Sequence, residues 1–213
     1  MKKYILGAVM LASFAVSAQY NYRDSNMIGL FGGINQTDLN TSDFDTKAGT
    51  GWNVGLSVRG NFYNDFDMVY AMQFSENKFS VPTMSPTTFQ AEDVDYKVQN
   101  VKIMLTPSYN IVYNYLSIEA GPVLQINGKL KYSSEYENNV INGTTATVKD
   151  LEEVSTFNIL GAVGLTAGVR HARLNVMYQY GFNNFLGSVP EGPFGKSVKG
   201  NLGIITGNVI FYF

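Results

Sequence analysis

The feature that constrains this chain most is the stretch Gly200-Asn201-Leu202-Gly203-Ile204-Ile205-Thr206-Gly207-Asn208-Val209-Ile210-Phe211-Tyr212-Phe213. Positions 205, 207, 209, 211 and 213 read Ile, Gly, Val, Phe and Phe, while 206, 208 and 212 read Thr, Asn and Tyr; Ile210 is the exception. A period of two belongs to an extended strand with one apolar and one mostly polar face. In water a half-exposed strand of this kind is a template for aggregation. Where lipid covers the apolar face it is stable, provided that the sheet closes and leaves no edge.

The beginning of the sequence agrees with export. Met1-Lys2-Lys3, the apolar run from Tyr4 to Val16 and the small residues Ser17-Ala18-Gln19 follow the order of a secretory signal peptide, expected over residues 1–18. Residues 19–213 then form the mature domain, and no Pro- or Ser-rich linker divides it. The apolar run is shorter than the ~20 residues of a spanning helix. Absence of Cys excludes a lipoprotein anchor, disulfides and thiolate metal sites. A formal charge of -2 offers no basic face for nucleic acid. Charged residues at 15% and aromatics at 14% suit strands that face lipid better than a water-solvated surface. The mature chain shows no apolar run of helical period.

Alternation recurs seven times before the last strand. A first strand over Asn26–Ile34 can place Ile28, Leu30 and Ile34 on one face. The second, Gly51–Phe62, sets Trp52, Val54, Leu56, Val58 and Phe62 against Asn53, Ser57, Arg59 and Asn61. The third sets Phe66, Met68, Tyr70, Met72 and Phe74 against Asp67, Gln73 and Ser75. The fourth, Tyr96–Asn110, and the fifth, from Leu116, turn Val101, Ile103 and Leu105, then Ile118, Leu124 and Ile126, away from Lys102 and Glu119. In the sixth and seventh, Phe157, Ile159, Val163 and Leu165, then Leu174, Val176, Tyr178 and Tyr180, oppose Asn158, Thr166, Arg173 and Asn175.

Short turns follow strands two, four and six, whereas polar stretches of roughly 12 to 20 residues follow the others, including residues 35–50, 81–95 and 132–150. The expected fold is all-β: an eight-stranded antiparallel up-and-down transmembrane barrel with short periplasmic turns and long extracellular loops. Directly opposed residues must face one side. Turns at Tyr63–Asp65, Val112–Tyr113 and Arg170–His171 satisfy that rule by pairing Phe62 with Phe66, Thr106 with Glu119, Lys102 with Val123, and Gly168 with Arg173.

Aromatic residues gather at strand ends: Phe62, Tyr63, Phe66, Tyr109, Tyr113, Tyr115, Phe211 and Phe213 by the short turns, and Trp52, Phe79, Tyr132, Phe157 and Phe185 by the long loops. This is the disposition of two interfacial girdles. A soluble barrel or sandwich would turn these apolar faces inward and leave Arg59, Asp67, Lys102, Glu119 and Arg173 outside. The expected lipid-facing positions are Leu56, Met68, Tyr70, Ile103, Ile118, Leu165, Val176 and Val209. The five charged residues are expected inside as a polar network, because charges with little water need partners. Distance from the short turns puts Asp67, Arg173, Arg59 and Glu119 in one band with Lys102 higher, and leaves open which acid meets which base. Apolar residues at every second position up to Phe213 resemble the C-terminal signal recognised by outer-membrane assembly machinery, with Val209, Phe211 and Phe213 as the residues read.

The residues also resemble the PorT-like outer-membrane β-barrel proteins across essentially the whole mature chain. The resemblance rests on Gly29-Leu30-Phe31-Gly32-Gly33-Ile34-Asn35, Gly55, Pro107, Gly121-Pro122, Tyr178 with Gly181-Phe182-Asn183-Asn184, and Tyr212-Phe213. It implies a small eight-stranded barrel of the bacterial outer membrane, in contact with lipid and lipopolysaccharide. The founding member of that family is tied to type IX secretion, but fold does not fix function.

Catalytic machinery is not expected. The sole histidine, His171, sits in a short turn with no Ser or Asp placed beside it. Asp43 with Asp45, or Glu92 with Asp93 and Asp95, have the oxygens of a calcium site, but solvated acidic loops explain them more simply. Asn142-Gly143-Thr144 reads as a turn. No cofactor is expected. The leading expectation is a non-enzymatic outer-membrane barrel with a side-chain-filled lumen that displays surface loops whose ligand the residues do not name. The alternative is a transport or secretion-accessory component.

Overall fold

The computed structural model describes residues 26–113 and 115–213; the expected signal peptide lies outside the described residues. Nine strands follow in chain order: β1 Met27–Thr41, β2 Lys47–Tyr63, β3 Phe66–Met84, β4 Ala91–Val112, β5 Leu116–Lys131, β6 Val140–Ile141, β7 Phe157–Gly168, β8 Ala172–Gly181 and β9 Gly200–Tyr212. Eight of them form an antiparallel ring in which each long strand pairs with the next and β9 pairs with β1. The two-residue β6 adds to the long-loop end of β3 through Thr83↔Ile141. Closure leaves the ring without an edge.

Stagger fixes which residues share a height. Following the pairs from Gly29 through Ser57, Ala71, Met104, Val123 and Leu160 to Gly181, and on through the adjoining Leu202, leads back to β1 at Leu39. One circuit therefore displaces the chain ten residues along β1, the tilted geometry that closure imposes. Gly55 shows the packing this requires: a Cβ there would stand 2.5 Å from the Phe31 ring, its cross-strand partner, which lies over the glycine inside the barrel.

The outward face carries exposed apolar residues over a limited height. On β3 these run from Phe66 through Tyr70 and Met72 to Phe74, which spans about 20 Å once strand tilt is counted, close to the ~25 Å apolar band of membrane barrels. Leu56, Ile103, Ile118, Leu165, Val176 and Val209 lie exposed in the same band, and Met68 is half-buried within it.

Beyond the band the alternation inverts. Outward positions on β3 become Glu76, Lys78 and Ser80, while the inward ones become Phe79 and Val81. On β4 the outward residues become Gln99, Lys97 and Asp95, and Val98, Tyr96 and Val94 turn in. The strand leaves a medium that is apolar outside and enters one that is wet outside, with a dry interior. Three expectations are corrected for this reason. Residues 35–50 and 81–95 are mostly strand, so the β1–β2 and β3–β4 connections shrink to residues 42–46 and 85–90. Phe79 and Phe185 are 1% and 0% exposed rather than part of an outer girdle, and Tyr132 packs on the same inner cluster. Trp52 and Phe157 do face outward.

Two turns also differ from expectation. Tyr63 pairs with Phe66 across Asn64–Asp65, with the register shifting between Asn61 and Tyr63, which leaves Phe62 as the bulged residue. Between β4 and β5 the pairing is Ser108↔Glu119 and Lys102↔Gln125, two residues from the expected register. A shift of two preserves facing, so no side chain changes side.

Candidate functional site

The lumen is organised in layers. At the short-turn end Arg59 of β2 donates from Nη1 to Asp67 Oδ2 of β3 at 2.8 Å and to Ser108 Oγ of β4 at 3.0 Å. Its Nη2 donates across the lumen to Glu119 Oε1 of β5. Glu119 also accepts from Ser108 Oγ and from Asn175 Nδ2, both at 3.4 Å, while Asn110 donates to Asp67 at 3.3 Å. The Arg59 and Glu119 side chains are 2% and 4% exposed, so each depends on this arrangement for solvation. Arg173 is buried beside them but donates to neither acid, and its Nε and Nη1 have no partner among the described residues. Tyr212 completes the layer through a hydroxyl contact with Ser57 at 3.2 Å.

Above this layer Phe31, Met104 and Met177 narrow the lumen, and between them lies a cavity of about 30 Å³, room for one or two waters. A third layer is rich in amides. Ser75 donates to Asn100, Gln125 to Asn127 and Asn127 to Asn158, at 2.6–2.7 Å. Lys102 stands here, fully buried, and donates to Gln179 Oε1 at 2.8 Å. The structure thus brings Arg59, Asp67 and Glu119 together, sets Arg173 alongside, and leaves Lys102 apart from both acids.

The long-loop end is closed by hydrophobic residues. Phe79 stacks on Tyr96 with ring centroids 5.6 Å apart and meets Phe185 edge-on at 6.5 Å. The β5–β7 connection folds inward and buries Ile141, Val148 and Leu151 against Leu39, Leu130 and Leu202. Its course is fixed by Tyr96 Oη donating to Val148 O at 2.9 Å and by Asp150, which accepts from the Thr147 amide and hydroxyl at 2.7 and 2.8 Å. Asp43 ties the β1–β2 connection to the β8–β9 connection by accepting from Lys196 Nζ at 2.5 Å and from the Lys199 amide at 2.9 Å. Those hydrogen bonds hold the Asp43 carboxyl below its ordinary range, the Lys196 contact most strongly.

A closed ring, one apolar band and an interior lined by side chains specify a membrane barrel, and the model of the outer membrane protein beta-barrel domain matches residues 17–187. The chain belongs to that family. This barrel-domain protein is integral to the outer membrane, with its short turns periplasmic and its long connections extracellular. The crystal structure of Neisserial surface protein A is similar at a TM-score of 0.51 and 13% identity, over 89% of this chain and 100% of that one. Ail of Yersinia pestis, solved with the heparin analogue sucrose octasulfate, has a TM-score of 0.49 at 13% identity, over 89% of this chain and 99% of that one. At such identity the likeness to Neisserial surface protein A is one of fold. No curated protein matches the sequence.

In the family barrel the remaining candidates have structural partners. His171 Nδ1 lies 3.0 Å from Tyr212 O in its periplasmic turn. Asp93 pairs with Lys47, Asp95 accepts from Ser80 and Glu92 accepts from Asn139. Among the described residues no group of three or more His, Cys, Asp or Glu stands together as a metal site. Sequence reasoning missed Ser108, Asn175 and Tyr212 as members of the charged layer. Their inward parity was readable, but their common height depends on register between strands.

Proposed function

We propose that this protein is a non-enzymatic, non-conducting barrel of the outer membrane whose outer face, built by strand extensions and an inward-folded loop, serves a structural or binding role. One observation carries the reading: the extracellular mouth is filled by the Phe79, Tyr96 and Phe185 cluster, with Ile141, Val148 and Leu151 folded onto it. The Arg59–Glu119 bridge crosses the lumen at the other end, so two chemically different layers oppose ion flow. A catalytic role finds no support in His171, which is engaged with backbone in a periplasmic turn.

Recording from single barrels in a planar bilayer tests this. The expected result is a silent membrane; steady openings of one size would replace this reading with the narrow-porin alternative. Outward exposure of Val209, Phe211 and Phe213 supports their being read by barrel assembly machinery, and crosslinking during assembly tests that part. A PorT-like secretion role rests on the sequence resemblance, and co-purification of periplasmic secretion partners from crosslinked membranes would reveal it.

A further inference from the structure

Three lysines form a row across the outside of the barrel. Lys78 of β3 is the direct cross-strand partner of Lys97 of β4, and Lys97 is the direct partner of Lys131 of β5. All three face outward, since Phe79, Tyr96, Val98 and Leu130 beside them are buried inside. Like charges directly opposed across strands destabilise a sheet, with Cβ atoms only about 4.5–5.5 Å apart. Elsewhere on the extracellular side Lys47, Lys129, Lys149 and Lys196 each hold a carboxylate. Within the row Lys78 touches Glu76 at 3.4 Å, Lys131 donates to the neutral Gln99 at 3.3 Å, and Lys97 has neither kind of partner among the described residues. Glu76 below and Asp95 above flank the row, and Asp95 already accepts from Ser80. Three cations against two carboxylates leave positive charge in excess.

Height decides what neutralises it. On the same strands the continuous outward apolar band ends at Phe74 and Val101, with Met84 isolated at the far end of β3, and each row lysine on β3 and β4 lies two outward positions beyond the band. Four residues of tilted strand raise the row about 10 Å above the hydrocarbon edge. The headgroup zone is about 5–8 Å thick, and a lysine stem bends an ammonium back toward it. Below Glu76 the surface is the lipid-covered band itself, so the nearest anions outside the protein belong to the outer leaflet.

We propose that Lys78, Lys97 and Lys131 form a binding site for the sugar-linked phosphate of an outer-leaflet glycolipid, with Lys97 at its centre. The row would then fix the barrel's rotational setting toward one lipid molecule held against β3, β4 and β5.

Native mass spectrometry of the protein released from nanodiscs containing diphosphorylated lipid A tests the site. The row variant K78Q/K97Q/K131Q is compared with K47Q/K149Q/K196Q, which removes the same charge from other exposed lysines. Wild type and the second variant are expected to carry at least tenfold more bound lipid A than the row variant, and enzymatic dephosphorylation of the lipid should remove the difference. Equal occupancy in the row variant, or indifference to the phosphates, overturns the proposal. So does protection of the three lysines from acylation by inorganic phosphate alone as complete as by lipid A, since the site would then serve a free anion; protection by an acidic peptide but not by lipid A would make it a protein-docking surface and equally defeat it.

Discussion

Arg59 and Lys102 are both buried cations, yet their surroundings give opposite expectations. Arg59 holds Asp67, Ser108 and Glu119 at once, whereas Lys102 holds the neutral Gln179. Removing one member of a buried ion pair leaves an uncompensated charge, so Glu119→Ala is expected to lower folding stability by about 3–5 kcal/mol in urea titrations from lipid vesicles. Lys102→Met keeps the stem and discards a charge that no carboxylate balances, so it should leave the urea midpoint unchanged or raise it. A loss as large as that of Glu119→Ala would show that Lys102 does have an ionic partner. Sequence parity pointed all five charges inward. Distance from the short turns also set Asp67, Arg173, Arg59 and Glu119 in one band with Lys102 higher. Which acid meets which base was not legible, because shear between strands decides it, and the register between β4 and β5 lies two residues from expectation, with Lys102 opposite Gln125.

At the scale of elements, the lipid band and the extracellular extensions obey different rules on the same strand. Arginine in place of Leu56, Tyr70 or Val176 is expected to cost about 2–4 kcal/mol, and at Gln99, outward but beyond the band, about 0–1 kcal/mol. Similar costs at Gln99 and Tyr70 in vesicle-folding titrations would move the band's upper limit outward. Ser57 and Asn175 are poor controls despite their polarity, since both are packed in the lumen and a larger side chain there strains the interior. The Asp43 tie between connections is pH-dependent. Its folded pKa is lowered by Lys196 and the Lys199 amide, so its contribution is complete above the ordinary carboxylate value near 3.9 and disappears as pH falls through the folded value. Hydrogen-exchange protection of the Lys199 amide, corrected for intrinsic rates, should therefore fall over that acidic window in wild type. In Asp43→Asn it should stay flat; an unchanged pH profile in that variant would remove Asp43 as the cause.

The whole molecule is closed by two devices that do not share residues. Phe79→Ala removes a fully buried ring that stacks on Tyr96 and meets Phe185, with an expected loss of about 3–5 kcal/mol. Bilayers containing that variant should nevertheless stay silent, because the Arg59–Glu119 bridge still crosses the periplasmic half. Steady conductance from Phe79→Ala alone would show that the apolar cap is the sole barrier. Combining Phe79→Ala with Glu119→Ala is the variant expected to leak.

Alternation along single strands determined by itself that this chain makes a closed, lipid-covered barrel and which residues turn inward within the band. The pleat imposes a period of two on every extended segment, and lipid tolerates only one kind of side chain on its side, so both constraints are local and visible residue by residue. Tertiary structure decided what lies beyond the band. There the outward face meets water and the inward face meets a folded loop, which reverses the alternation at Glu76–Phe79 on β3 and at Val98–Gln99 on β4. The same residues that read as polar connection or as outer aromatic girdle became strand and cap. The arrival of Phe185, Val148 and Leu151 from elsewhere in the chain makes burial of Phe79 and Tyr96 favourable, and contacts at that sequence separation leave no periodic trace.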